Sequence, residues 1–243
     1  MTEDRASELA ERLRTVRRRL ADAERAAGRE AGSVRLLAVT KNFPAEDVAL
    51  LADLGLSEFG ESRDQEARPK IGRVGELRPA LDVSWHMVGR LQRNKARAVA
   101  RWADVVHSVD SLRLVEALRG GVRAALDEGH RSRPLDVLVQ VSLDEDADRG
   151  GCPPGQVTIL AESVAQASEL RLRGVMAVAP LGGNPLTAFH SLATVSDQIQ
   201  RHHPGATEVS AGMSGDMEHA IAAGSTLVRV GTGLLGTRKL ASP

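Results

Sequence analysis

Lys41 closes the apolar run VRLLAVTK. It is one of only four lysines, with Lys70, Lys95 and Lys239, among 32 basic residues that are otherwise arginine. Alternation along a strand puts Leu37, Val39 and Lys41 on one face. At the end of a buried strand, just before Asn42-Phe43-Pro44, an amine can be partly desolvated. Desolvation lowers its pKa and frees it to attack an aldehyde. The competing role is a lysine that snorkels out of the rim or pairs with a carboxylate such as Glu61.

Two later segments carry the marks of an anion site. In GMSGDMEHAIAAG, Ser214 can cap a helix and leave backbone N–H groups free; Asp216 is an awkward neighbour for an anion but suits the first turn of a helix. In VRVGTGLLG, Gly231 and Gly233 allow close backbone approach, and Thr232 adds a hydroxyl. An amine facing a phosphate cradle suits a phosphorylated aldehyde, of which pyridoxal 5′-phosphate is the obvious example. Arg229 shares a face with Leu227 and Gly231, where the pyridine ring would lie. A permanently charged guanidinium there disfavours a second positive charge on the ring nitrogen.

These residues must be positioned by a regular frame. Leu9, Leu13, Val16, Leu20, Ala23 and Ala27 recur at helical spacing, so a surface helix is expected over about 6–27. Eight short apolar runs follow: RLLAVT (35–40), SEFG (57–60), WHMVG (85–89), VVHSVD (105–110), DVLVQVSL (136–143), LRGVMAV (172–178), TEVSAG (207–212) and TLVRVG (226–231). Amphipathic stretches such as AEDVALLADLG separate them, and several runs are apolar throughout, as in parallel strands covered on both faces. Eight such units over about 34–238 predict a single (β/α)8 TIM barrel with an extra N-terminal helix, one domain spanning 1–243. A doubly wound open sheet is the rival, weakened because no G-x-G-x-x-G follows the first strand. In a barrel, Lys41 and the two loops meet at the C-terminal mouth. The GGCPPG cluster (150–155) reads as a turn inside the fold.

The segments LLAVTK, FGES with DQEA, WHMVGRLQRNK, HSVDS, LRLRGVMAV, SAGMSGDMEHAIAAGST and VRVGTGLLGTR resemble the pyridoxal phosphate homeostasis protein family, which is alanine racemase N-terminal-domain-like. The resemblance runs from about residue 10 to 238. It implies a single barrel of the alanine racemase type (fold type III), with pyridoxal phosphate held as a Schiff base on Lys41. It further implies that the phosphate lies at Ser214 and Gly231-Thr232, that Arg229 faces the pyridine, and that His86 and Met176 line the pocket. Where the family usually reads FGEN, this chain has Ser62, which is shorter and lacks an amide near the ring. The implied role is cofactor buffering or delivery, without strong catalysis and with PLP-dependent apo-enzymes as recipients. Related racemases use a tyrosine from a partner subunit as second base, and this chain has no tyrosine. A monomer is expected, because the second domain of those racemases is missing. The alternatives are an amino-acid racemase or decarboxylase on the same barrel, and a cofactor-free class I aldolase.

Composition excludes other classes. Lys plus Arg and Asp plus Glu are 32 each, so no global basic field recruits nucleic acid or an anionic membrane. The single cysteine, Cys152, rules out an intramolecular disulfide framework and fits a reducing cytoplasm; it reads as a loop residue. No apolar run approaches the roughly 18 residues of a membrane span, and the acidic N-terminus has no signal-peptide core. Arginines 17–19 read as a solvated helix face, and Arg90, Arg93, Lys95 and Arg97 as a basic rim. His202-His203 reads as a surface loop without partners at metal-ligand spacing.

Overall fold

Each apolar run becomes a parallel strand, and the eight close on themselves. The computed structural model describes residues 2–144 and 150–237. Helix α1 (Thr2–Ala26) is followed by β1 (Arg35–Val39), α2 (Ala45–Asp53), β2 (Glu58–Glu61), α3 (Asp64–Leu77), β3 (Ser84–Met87), α4 (Ala96–Val99) and β4 (Val105–Val109). Then come α5 (Leu112–Asp127), β5 (Leu135–Gln140), α6 (Val157–Ala165), β6 (Leu170–Met176), α7 (Pro185–His202), β7 (Glu208–Ser210), α8 (Met217–Ala222), β8 (Leu227–Val230) and α9 (Thr232–Leu235). The strands pair in order β1 to β8, and β8 pairs with β1. The doubly wound sheet is therefore excluded. Strand limits fall within about three residues of those read from the sequence, and α1 starts four residues earlier than expected.

The helices cover the outer faces of the strands in two apolar clusters. One gathers side chains from β4 to β7 with α5, α6 and α7. The other packs Ala38, Phe59, Trp85, Val228 and Val230 against α1, α2 and α8. The predicted stripe Leu9, Leu13, Val16, Leu20 and Ala23 is the buried face of α1. Glu3 and Asp4 lie in its first turn, where the helix dipole favours acids.

The barrel interior departs from the usual packing of branched apolar residues. Val105, Leu138 and Met176 form one small apolar cluster there. His86, His107, Ser210 and Arg229 are also buried inside. The floor carries alternating charges: Arg35 bonds Glu58 (2.6 Å) and Glu208 (2.8 Å), and Arg173 bonds Glu208 (2.8 Å). Arg171 bonds Asp136 at 2.5 Å on the same end. Three of these pairs join consecutive strands, the Arg35–Glu208 pair reaches from β1 to β7, and together they close the end opposite the mouth.

Gly174, where β6 shifts register against β5, has φ +151°, and a Cβ there would lie 1.9 Å from the Glu208 carbonyl oxygen. Gly174→Ala is therefore expected to lower the unfolding free energy by about 1–3 kcal/mol, from overpacking and backbone strain together. Urea unfolding of the purified variant measures this.

Candidate functional site at the barrel mouth

Lys41, expected as the last residue of its strand, lies two residues beyond it. β1 ends at Val39, and Thr40 to Phe43 form a turn in which Phe43 N donates to Thr40 O at 3.1 Å. Asn42 takes φ +66°, as the third position of a type II turn requires. The turn swings Lys41 clear of the strand, so its side chain is exposed rather than desolvated. It has no ion-pair or hydrogen-bond partner among the described residues.

Glu61 is not that partner. It pairs with Lys70 of α3, whose Nζ lies 2.6 Å from Glu61 Oε1 and donates to Thr40 O at 2.8 Å. Thr40 Oγ1 donates to the same carboxylate oxygen at 2.7 Å. Glu61 is fully buried, and its other oxygen, Oε2, has no hydrogen-bond partner among the described residues. The Lys70–Glu61–Thr40 group anchors the turn from behind and leaves Lys41 free in front. Alternation could have hinted at it, because Thr40 and Glu61 both point to the outer layer.

The loops after β7 and β8 are tied together. Gly233 N donates to Ser214 Oγ at 3.1 Å, so Ser214 bridges to the next loop rather than capping α8. Asp216 stands before α8, but its carboxylate accepts from Met213 N at 2.6 Å. Gly231 has an ordinary negative φ; its missing side chain makes room for Val39, whose carbonyl oxygen would lie 3.2 Å from a Cβ. Thr232 opens α9 and is exposed. Arg19 of α1 is not merely solvated: it donates to Ser214 O at 3.0 Å and pairs with Glu218. No local pattern around Arg19 signals that contact.

Arg229 stands one layer below these loops, beside Leu37 of β1. It is 5% exposed, and its acceptors among the described residues are all neutral: Ser210 O and Oγ (both 2.7 Å) and Ala177 O (2.8 Å). Burial pulls its pKa down to about 10, with Asp216 opposing. His86 and Met176, expected to line the pocket, are buried in the interior, where His86 meets His107 and Met176 packs on Val105 and Leu138. Ser62 is half-buried and touches Gly89 so closely that a Cβ there would meet its carbonyl oxygen at 2.3 Å. A groove of about 1190 Å³ opens on the β2–β4 side of the mouth, lined by Ser62, Arg90, Arg93 and Lys95 but by neither Lys41 nor Arg229. Arg97 leaves the expected basic rim to pair with Glu128 at 2.6 Å.

The remaining candidates fall outside the site. Cys152 is buried in a bridge to Val141, and burial pushes its thiol pKa up. His202 ends α7 and is not in a loop, and His203 lies 3.3 Å from Glu162. Among the described residues, no cluster could hold a metal ion, and no helix is long and apolar enough to cross a membrane.

A closed barrel with a free lysine after its first strand and tied loops after its last two has known counterparts. Residues 12–239 match the alanine racemase N-terminal domain family. The pyridoxal phosphate homeostasis protein of Mycobacterium leprae is 49% identical over 248 aligned positions, which cover 99% of this chain and 96% of that one. A crystal structure of a protein from Bifidobacterium adolescentis superposes with a TM-score of 0.86 at 33% identity, covering 95% of this chain and 96% of that one. PipY of Synechococcus elongatus, solved with PLP bound, gives 0.79 at 34% identity, covering 94% and 100%. The chain belongs to the pyridoxal phosphate homeostasis protein family.

Lys70→Met removes the cation that faces a fully buried carboxylate. It is expected to lower the unfolding free energy by about 3–5 kcal/mol, whereas Lys41→Met, at an exposed position, stays within about 0.5 kcal/mol of the parent. Parallel denaturant titrations of the two variants decide whether the buried lysine is the structural one.

Proposed function

We propose that this chain binds pyridoxal 5′-phosphate reversibly through a Schiff base on Lys41 and serves cofactor homeostasis in the cytoplasm, as a monomeric carrier that buffers the cofactor or passes it to apo-enzymes. The observation that carries the proposal is Arg229. It is a buried guanidinium with only neutral acceptors in contact, at the same mouth as a lysine without a partner. A cation with N–H donors to spare favours a ligand that brings an acceptor, and pyridoxal phosphate brings an unprotonated ring nitrogen together with the aldehyde with which Lys41 reacts. When bound, pyridoxal phosphate supplies an electrophilic aldehyde and an electron-withdrawing ring.

Ser214 and Thr232 can each donate a hydroxyl hydrogen bond to the phosphate, and Arg19 holds the Ser214 loop in place from outside. At the start of α9, Gly233 N donates to Ser214 Oγ, and Leu234 N and Leu235 N donate to Gly231 O. Arg229 can only donate, so it cannot hold a proton on the ring nitrogen as a carboxylate would. That weakens the ring as an electron sink and favours carriage over catalysis. The chain also has no tyrosine to act as a second base opposite Lys41. Exposure of Lys41 suits release, since the bond it forms must be reversed by water or by another amine.

Borohydride reduction of the yellow protein should fix the pyridoxyl group on Lys41 alone, as read by peptide mapping. Lys41→Ala should lose the visible absorption band, and Lys95→Ala should keep it. A label on Lys70, Lys95 or Lys239 would refute the assignment.

The phosphate contacts have their own signature. Ser214→Ala and Thr232→Ala should each weaken pyridoxal phosphate binding by about 1.5–3 kcal/mol, because each removes a donor to a charged acceptor. Binding of unphosphorylated pyridoxal should scarcely change. Equal loss for both ligands, measured by absorbance titration, would place the phosphate elsewhere.

A further inference from the structure

Five side chains from four strands form one hydrogen-bonded line through the barrel. Arg229 Nη1 on β8 donates to Ser210 Oγ on β7 at 2.7 Å. Ser210 Oγ lies 3.0 Å from His107 Nδ1 on β4, and His107 Nε2 lies 2.9 Å from His86 Nδ1 on β3. His86 Nε2 ends the line 3.1 Å from Ser84 Oγ, with the Glu58 carboxylate 3.8 Å away. His107 and Ser210 are fully buried, and His86 very nearly so.

The chemistry of the two ends allows one proton order. A guanidinium has donors and no acceptor, so Ser210 Oγ accepts from Arg229 and sends its own proton to His107 Nδ1. A neutral imidazole has one N–H and one acceptor, so His107 is protonated on Nε2 and donates to His86 Nδ1. His86 is then also protonated on Nε2 and donates to Ser84, toward Glu58. The reverse order would leave the buried Ser210 hydroxyl proton with no acceptor, which is costly. Burial keeps both rings neutral: it pushes the His86 pKa down to about 3, and that of His107 well below its ordinary value.

We infer that Ser210, His107 and His86 are positioning residues for Arg229, acting through this uniformly ordered line. Each donor strengthens the next acceptor, so Ser210 Oγ holds Nη1 firmly and the plane of the guanidinium is set. With Nη1 committed to Ser210 and one Nη2 proton to Ala177 O, the Nε–H and the second Nη2–H have no partner among the described residues and are available to a ligand. The inference rests on the reading that Arg229 meets the ring of bound pyridoxal phosphate. The line orients the guanidinium and transfers no proton.

Two measurements on the full-length chain test this. Two-bond ¹H–¹⁵N NMR of ¹⁵N-histidine protein without cofactor should show both rings as neutral Nε2–H tautomers at pH 7. An Nδ1–H form or an imidazolium at either ring would overturn the ordered line. Ser210→Ala and His107→Leu should each weaken pyridoxal phosphate and unphosphorylated pyridoxal alike, roughly tenfold. That pattern differs from the phosphate-selective loss expected at Ser214. His107→Gln, which can accept at one end and donate at the other, should recover most of the affinity. Unchanged affinity in Ser210→Ala would overturn the positioning role, even with the tautomers as expected. Failure of the unaltered protein to bind pyridoxal phosphate would overturn this role together with the cofactor reading, whereas a wrong tautomer overturns the ordered line alone.

Discussion

A guanidinium inside a barrel needs acceptors that are not a carboxylate beside it, and Arg229 places three of its five N–H donors on two backbone carbonyls and one hydroxyl. Those acceptors come from the ends of β6 and β7, so the strand pairing that closes the barrel also builds the socket. Polar residues deeper in the interior follow from the same need. Ser210 Oγ needs an acceptor for its own hydrogen bond, His107 Nδ1 provides it, and His86 continues the same donor order toward the floor. Filling these positions with branched apolar residues would pack well but would leave the Ser210 hydroxyl without an acceptor.

The mouth separates two lysine roles by environment. Lys70 is buried, paired with Glu61 and bonded to the Thr40 carbonyl, and this fixes the turn. Lys41 is exposed on that turn and free to react. Each depends on the other's placement, since a carboxylate available to Lys41 would tie up its amine. Two strands away around the mouth, Arg19 from the first helix holds the Ser214 loop, and Ser214 holds the start of α9. The helix that precedes the barrel thus braces the Ser214 loop from outside as well as covering the β1–β8 seam.

Much of this was legible in one dimension. Period-two and period-3.6 apolar patterns marked eight strands and the first helix, because burial on one or both faces leaves its period in the chain. The rarity of lysine singled out Lys41, and the glycines after β8 marked a close approach. Legibility failed where a side chain's role is set by something distant in sequence. Glu61 looked available to Lys41, and Arg19 looked solvated. Ser214 looked like a cap, and Arg97 like part of a basic rim. All four were misread because their true partners, Lys70, the Ser214 carbonyl, Gly233 and Glu128, lie on other elements.

By itself, the sequence determined the class of fold, the family and the short set of residues with suitable chemistry, since these are written in local patterning and in residue type. Tertiary structure alone decided which lysine is free and which is buried. It also decided that two histidines from adjacent strands stack their nitrogens into line with Arg229. Hydrogen-bond partners are chosen by distances of about 3 Å, and only closure of the barrel brings β3, β4, β7 and β8 within that reach.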